Sequence, residues 1–136
     1  GHLAGVKALL SPLENLSWWS SLHISSGDAV SKAKLLAALS QVGLERFANT
    51  PCHQLSAGQQ RRIALARLYL SEHRLWILDE PFTAIDATGV KLLEHRIAEH
   101  LKKGNMAIVT THQAMQIDGF TRCSLTTAAS EEEASQ

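Results

Sequence analysis

The segment LWILDEP, at residues 75–81, contains the clearest indication of the fold class. Four consecutive apolar residues that end at a polar Asp-Glu-Pro group are typical of a fully buried parallel strand. A second apolar run occupies residues 106–110, and the residues between the two runs, 86–104, have the spacing of an amphipathic helix. We therefore expect a strand–helix–strand unit in which two buried parallel strands are joined by a right-handed crossover.

The sequence before residue 73 has the pattern of helices only. Helix starts are predicted at Ser11, at Asp28 or Ser31, and at Ser56, because each is a capping residue type that precedes an apolar stripe. The helix that follows Ser56 is expected to run to about Leu70.

Together these patterns predict an α/β protein with three parts. A helical subdomain occupies residues 1–72, an α/β portion with a parallel sheet occupies residues 73–128, and an acidic tail occupies residues 129–136. Residues 120–127 are expected to give a further strand.

Composition and charge limit the classes of function. Hydrophobic residues make up 45% of the 136 residues and charged residues 19%, as in a globular protein rather than a disordered one. Lysine plus arginine equal aspartate plus glutamate, 13 each, so charge gives no reason to expect a nucleic-acid partner. The two cysteines, Cys52 and Cys123, lack metal-site spacing and are expected to be reduced and structural.

The segment LSAGQQRR, at residues 55–62, has the features of a helix start that faces an anion. Ser56 and Gln59 have the spacing of a capping box, and Gly58 removes a side chain from the first turn. The unpaired N–H groups and the positive end of the helix dipole suit a phosphate. The alternative is that Ser56 does nothing more than cap a helix. The two arginines at the end of the segment are expected to form a solvated face of that helix.

Polar side chains with catalytic potential follow both predicted strands. Asp79 and Glu80 follow the first strand and His112 follows the second, at the edge of the sheet where ligands bind in open α/β folds. Asp79 is a candidate Mg²⁺ ligand, Glu80 a candidate base for a water that attacks a phosphate, and His112 a candidate donor to that phosphate. The alternatives are a turn cap for Asp79, a solvated carboxylate for Glu80 and a core histidine for His112. An extended backbone is expected to point Glu80 to the face opposite Asp79.

Four segments resemble the motifs of ABC-type ATPases, in the order of that family. LSAGQ at residues 55–59 is similar to the signature motif, and LWILDE at residues 75–80 to the Walker B strand with its catalytic glutamate. TAID at residues 83–86 resembles the D-loop, and Thr111-His112 the H-loop. The resemblance implies the C-terminal part of a P-loop NTPase fold, with a helical subdomain followed by a RecA-like portion.

The resemblance also implies which residues serve ATP and Mg²⁺. In this family two ATPase subunits form a head-to-tail dimer, and each nucleotide lies between them. The residues implied to contact the nucleotide held by the second subunit are Ser56, Ala57, Gly58 and Gln59. For the nucleotide in the same subunit, Asp79 is the implied metal ligand, Glu80 and His112 are the implied catalytic residues, and Asp86 is implied to lie at the dimer interface between the two sites.

A closer resemblance is to the ATP-binding subunits of heme exporters used in cytochrome c maturation. It implies transmembrane permease subunits as partners and a place on the cytoplasmic face of the bacterial inner membrane. The sequence has no G-x-x-x-x-G-K-[ST] loop, which the family carries upstream, and has Leu3-Ala4 where the family carries Gln-Pro. We therefore expect a truncated sequence that is inactive by itself. The alternatives are the ATPase of another ABC transporter and a degenerate module that binds a partner without hydrolysis.

Overall fold

A computed structural model of the chain describes residues 5–23 and 29–123. The elements in chain order are α1 (Pro12–His23), α2 (Lys32–Gln41), α3 (Ala57–Leu70), β1 (Leu75–Asp79), α4 (Ala87–Lys102) and β2 (Met106–Thr110). Two short 3-10 turns, Glu45–Phe47 and Cys52–Gln54, lie between α2 and α3.

The first two helices begin at the predicted caps. Ser11 and Glu14 bond reciprocally: the Glu14 N–H lies 3.3 Å from Ser11 Oγ, and the Ser11 N–H lies 2.8 Å from Glu14 Oε2. Of the two alternatives for α2, Ser31 is the cap, since its side chain accepts from the Lys34 N–H at 3.3 Å. Asp28 lies outside the described residues.

The two strands pair in parallel, as predicted, in the register Leu75↔Met106 to Asp79↔Thr110. Trp76 is 4% exposed and stacks on His100 of α4, with ring centroids 3.7 Å apart. The prediction that both strands are fully buried is wrong for the described part of the chain. Alternate side chains of a strand point to opposite faces, and within residues 5–23 and 29–123 only the face toward α4 is covered. The exposed apolar side chains on the strands are Leu75, Ile77, Met106 and Ile108.

A single buried cluster runs through the helical and the α/β parts. Leu16, Leu39 and Ile63 join the first three helices, and the same cluster includes Leu93 and Ile97 of α4. Burial of such side chains from water is the main term that stabilises the packing of these elements. The division of the chain at residue 72 stays a prediction.

The remaining expectations concern the end of the chain and the cysteines. Residues 120–123 form no strand, and residues 124–136 lie outside the described part. Cys52 is buried and Cys123 exposed, and both are free thiols. Burial raises the pKa of the Cys52 thiol, so it stays protonated at neutral pH, in agreement with a structural role. No helix among the described residues is long and apolar enough to cross a membrane.

Candidate functional site

The site begins at the carboxyl ends of the two strands, where Asp79 and Thr110 are paired in the sheet. The Thr110 hydroxyl donates to Asp79 Oδ1 at 2.6 Å. The Glu80 N–H donates to the Thr110 carbonyl at 3.0 Å and lies 3.2 Å from Thr110 Oγ1. One threonine thus fixes both acidic residues. The sequence reasoning missed Thr110, although equal alignment of the two apolar runs places it opposite Asp79.

Glu80 starts a tight turn, which corrects the expectation of an extended backbone there. Its φ is 45°, in the left-handed region, and its carbonyl accepts from the Thr83 N–H at 3.2 Å. Pro81 and Phe82 are buried next to it and anchor the turn. The direction of the Glu80 side chain therefore follows from the turn and not from the alternation of a strand.

The Glu80 carboxylate faces His112. The Nε2 atom of His112 lies 3.3 Å from Glu80 Oε1, and the Thr83 hydroxyl lies 3.5 Å from Glu80 Oε2. The His112 side chain is 97% exposed, so it is not a core histidine. The structure brings Asp79, Glu80 and His112 together at one open edge of the sheet, as the sequence predicts. In such a pair, the carboxylate can accept a proton from water and the imidazole can donate a hydrogen bond to an anion.

The start of α3 forms the predicted capping box. The Gln59 N–H donates to Ser56 Oγ at 3.2 Å, and the Ser56 N–H donates to Gln59 Oε1 at 2.8 Å. The N–H groups of Ala57 and Gly58 belong to the first helical turn, which has no intrahelical partner for them. A Cβ atom added to Gly58 would meet nothing within 4 Å, so the helix start is open beside its backbone. Such a start can receive an anion.

The two parts of the candidate site are separate within the described chain. No hydrogen bond or ion pair among residues 5–23 and 29–123 joins residues 56–59 to Asp79, Glu80 or His112. In the described chain, the start of α3 and the strand ends are therefore two groups of residues that are not bonded to each other.

Two arginines connect α3 to the loops around the site, which corrects the expectation that they form a solvated face. Arg61 Nη2 donates to the Glu80 carbonyl at 3.2 Å. Arg62 donates to the Val42 carbonyl at 3.2 Å, and its Nη2 lies 3.6 Å from Asp86 Oδ2. Helical spacing does not show which other elements a long side chain reaches, so these contacts could not be predicted from the sequence.

Asp86 is the N-cap of α4. Its Oδ1 accepts from the Gly89 N–H at 2.9 Å. A Cβ atom added to Gly89 would lie 3.0 Å from the same oxygen, so only glycine fits there without a shift. The carboxylate is half exposed, and this leaves its outer side open.

The described residues contain no group of three or more His, Cys, Asp or Glu side chains that can hold a metal ion by themselves. Asp79 offers one exposed carboxylate. Mg²⁺ is commonly bound by one or two carboxylates together with substrate phosphates and water. Asp79 fits that mode of binding and does not fit a metal cage made by the protein alone.

Comparison with known proteins agrees with this arrangement. The sequence pattern of the ABC transporter family matches residues 5–83. The cytochrome c biogenesis ATP-binding export protein CcmA of Pseudomonas syringae pv. syringae is 52% identical over 115 residues, which are 85% of this chain and 53% of the relative. CcmA of Saccharophagus degradans is 48% identical over 122 residues, 86% of this chain and 55% of the relative. The chain thus spans about half the length of the curated relatives it matches.

Two solved structures share the fold. A dimeric ATP-binding cassette in a post-hydrolysis state with ADP and Pi superposes with a TM-score of 0.70 at 29% identity, over 83% of this chain and 50% of the other. A dimeric bacterial ABC transporter cassette superposes with a TM-score of 0.71 at 28% identity, with the same coverage. The predicted fold class, part of the P-loop NTPase fold of ABC cassettes, is confirmed. The chain belongs to the ABC transporter family.

Proposed function

We propose that the chain is part of an ABC-type ATPase that binds and hydrolyses ATP. The observation that carries this proposal is the pairing of Glu80 with His112, 3.3 Å apart, at the open strand ends of a chain of this family. Glu80 accepts a proton from the water that attacks the terminal phosphate, and His112 donates a hydrogen bond to that phosphate as charge develops. Thr110 and the turn at Glu80 keep the carboxylate in place.

Asp79 is the proposed ligand of Mg²⁺ at this site, directly or through water. When bound, Mg²⁺ would neutralise charge on the nucleotide phosphates. The Thr110 hydroxyl donates to one oxygen of Asp79 at 2.6 Å, and this hydrogen bond fixes the orientation of the carboxylate.

The start of α3 serves a different nucleotide. We propose that residues 56–59 contact the phosphates of ATP held by a second ATPase subunit in a head-to-tail dimer. This proposal is supported by the open backbone at Gly58 and by the absence of bonds within the described chain between residues 56–59 and the Glu80 site. Asp86, half exposed at the cap of α4, would lie at the interface between the subunits.

The transporter that we favour is a heme exporter for cytochrome c maturation. This choice is supported by the sequence identity with a CcmA protein, which is 52% over 85% of this chain. The partners would then be transmembrane permease subunits, and the protein would lie on the cytoplasmic face of the bacterial inner membrane. A complete protein, with the phosphate-binding loop that the family carries upstream, would be the active enzyme, and the 136-residue chain would be inactive by itself.

Two other functions remain as alternatives. The motifs are common to ABC transporters in general, so an ATPase of another transporter has the same site. A degenerate module without hydrolysis has no need of the Asp79, Glu80 and His112 arrangement, and the bonds that fix it argue against that function.

The experiment that tests the proposal is Glu80→Gln in the full-length protein that carries these residues. Loss of the base should lower ATP hydrolysis about 100-fold or more, while the affinity for ATP stays near that of the wild type. Turnover would be measured by phosphate release and affinity by titration calorimetry.

The matched control is Glu72→Gln, since Glu72 is exposed and paired only with Lys34 in the described structure. Normal turnover in Glu80→Gln would remove Glu80 from the role of base. The cargo is tested separately, by whether the wild-type gene and not Glu80→Gln restores holocytochrome c in a bacterial strain that lacks its CcmA.

A further inference from the structure

Glu80 has a backbone conformation that L-residues rarely adopt, with φ at 45°. Such a conformation persists where the surrounding structure determines it. The Glu80 N–H is held by β2, because it donates to the Thr110 carbonyl at 3.0 Å. The Glu80 carbonyl oxygen accepts from the Thr83 N–H of the same turn at 3.2 Å.

One further contact on this peptide comes from outside the turn and the sheet. Arg61, in the second turn of α3, places Nη2 3.2 Å from the Glu80 carbonyl oxygen. A guanidinium stays charged at all physiological pH values, and hydrogen bonds from charged donors are stronger than those from neutral ones. The contact therefore joins the helix that begins at Ser56 to the peptide that carries Glu80.

We propose that Arg61 is a positioning residue for Glu80, an inference that rests on the proposed function of Glu80. By holding the carbonyl, Arg61 fixes the turn in which the Glu80 carboxylate lies 3.3 Å from His112. If the Glu80 backbone rotated away from Arg61, the Glu80 carboxylate would move away from the His112 imidazole. Its neighbour Arg62 has another task, since it contacts Val42 and Asp86 and so holds the start of α4.

The test compares Arg61→Met and Arg61→Lys in the full-length protein. Methionine keeps an unbranched chain but has no donor, so kcat for ATP hydrolysis should fall about 10-fold or more, with KM for ATP unchanged. Lysine keeps a charged donor and should restore part of kcat. The matched control is Arg46→Met, because the Arg46 guanidinium lies over the Phe47 ring, 5.9 Å from its centroid, and not at the Glu80 turn.

Amide hydrogen exchange provides a second measurement that does not need hydrolysis. In Arg61→Met, exchange should become faster in residues 78–84 and stay unchanged in residues 57–70. Unchanged kcat together with unchanged exchange would overturn the proposal, and so would faster exchange throughout α3, which would make Arg61 a structural residue of the helix. If the wild type itself does not hydrolyse ATP, the proposed function fails, while the exchange result still decides whether Arg61 holds the Glu80 turn.

Discussion

Thr110 is the residue that joins the two acidic groups at the end of β1. Its hydroxyl donates to Asp79 and accepts from the Glu80 N–H, so one oxygen atom fixes a carboxylate and a backbone group. Neither contact is deeply buried, and water can replace each of them in part. The value of Thr110 therefore lies in orientation more than in stability.

Thr110→Val removes the hydroxyl and keeps the branched shape of the side chain. We expect ATP hydrolysis by the full-length protein to fall about 10-fold or more, because Asp79 and Glu80 lose a fixed position. The free energy of unfolding should fall by no more than about 1 kcal/mol, since the lost bonds are exposed. Thr50→Val, in a loop away from the strand ends, is the matched control. Equal hydrolysis rates for Thr110→Val and Thr50→Val would contradict this account.

The sequence predicts which residues the strand ends bring together, but it does not predict the contacts that long side chains make with other elements. The proximity of Asp79, Glu80 and His112 follows from parallel pairing alone. The left-handed backbone of Glu80 does not, because a strand pattern contains no information on the turn that follows it. Arg61 was expected to face solvent for a similar reason, since helical spacing says nothing about which loop lies opposite.

Among the elements, α3 combines a strong cap with an open first turn. The capping box satisfies the Ser56 and Gln59 N–H groups, so the stability of the helix start depends on Ser56 and not on Gly58. Glycine in a helix costs about 0.5–1 kcal/mol relative to alanine. Packing in the described chain does not require this glycine, because a Cβ atom there would meet nothing within 4 Å. In the proposed function, Gly58 leaves space for the phosphates.

Gly58→Asp separates these two roles. An acidic residue in the first turn of a helix is stabilising by about 0.3–1 kcal/mol, so the free energy of unfolding should stay level or rise. The new charge should repel phosphate, and ATP hydrolysis by the full-length protein should be lost. Ala33→Asp, at the corresponding exposed position of α2, is the matched control and should leave hydrolysis unchanged. Urea unfolding and phosphate release are the measurements, and full activity in Gly58→Asp would exclude this surface from the site.

Helix starts and the burial of strands differ in how far the sequence predicts them. Caps are local, because each capping side chain bonds to the residue three positions ahead, as at Ser11, Ser31, Ser56 and Asp86. Burial of a strand depends on which layers cover each face of the sheet. An apolar run therefore predicts the strand, but it does not show that Ile77, which is 73% exposed here, is covered.

The neutral imidazole of His100 links α4 to the sheet and so connects two layers of the protein. Its Nε2 atom lies 3.1 Å from the Met106 carbonyl, and Asn105 Nδ2 lies 3.4 Å from Nδ1. These partners suit a ring that donates at Nε2 and accepts at Nδ1. Burial lowers the pKa of His100 below its ordinary value of 6.5 and outweighs the bond to the Met106 carbonyl, which raises the pKa; the charge of Arg96 lowers it further.

The lowered pKa of His100 predicts how the fold responds to acid. The unfolded chain binds the proton more readily, so this contribution to stability is complete above pH 6.5 and declines as pH falls below that value. The free energy of unfolding in urea, measured from about pH 7.5 to about pH 5, should therefore decrease more in the wild type than in His100→Gln. Parallel curves for the two proteins would show that His100 does not set this response.

In the proposed function, one chain carries halves of two different ATP sites. The start of α3 serves the nucleotide of a partner subunit, and the Glu80 site serves the nucleotide of its own subunit. The most direct measurement mixes two full-length variants, Gly58→Asp and Glu80→Gln, each expected to be inactive alone. A mixed dimer then holds one site with intact Glu80 and an intact partner helix, so ATP hydrolysis should reappear on mixing. A mixture of wild type with a large excess of Glu80→Gln, in which nearly every wild-type subunit is paired with a variant subunit, shows the activity of a dimer that has one competent site. If that control hydrolyses ATP while the mixture of the two variants stays inactive, the α3 start and the Glu80 site of one and the same chain serve one nucleotide. That result would contradict the proposed arrangement.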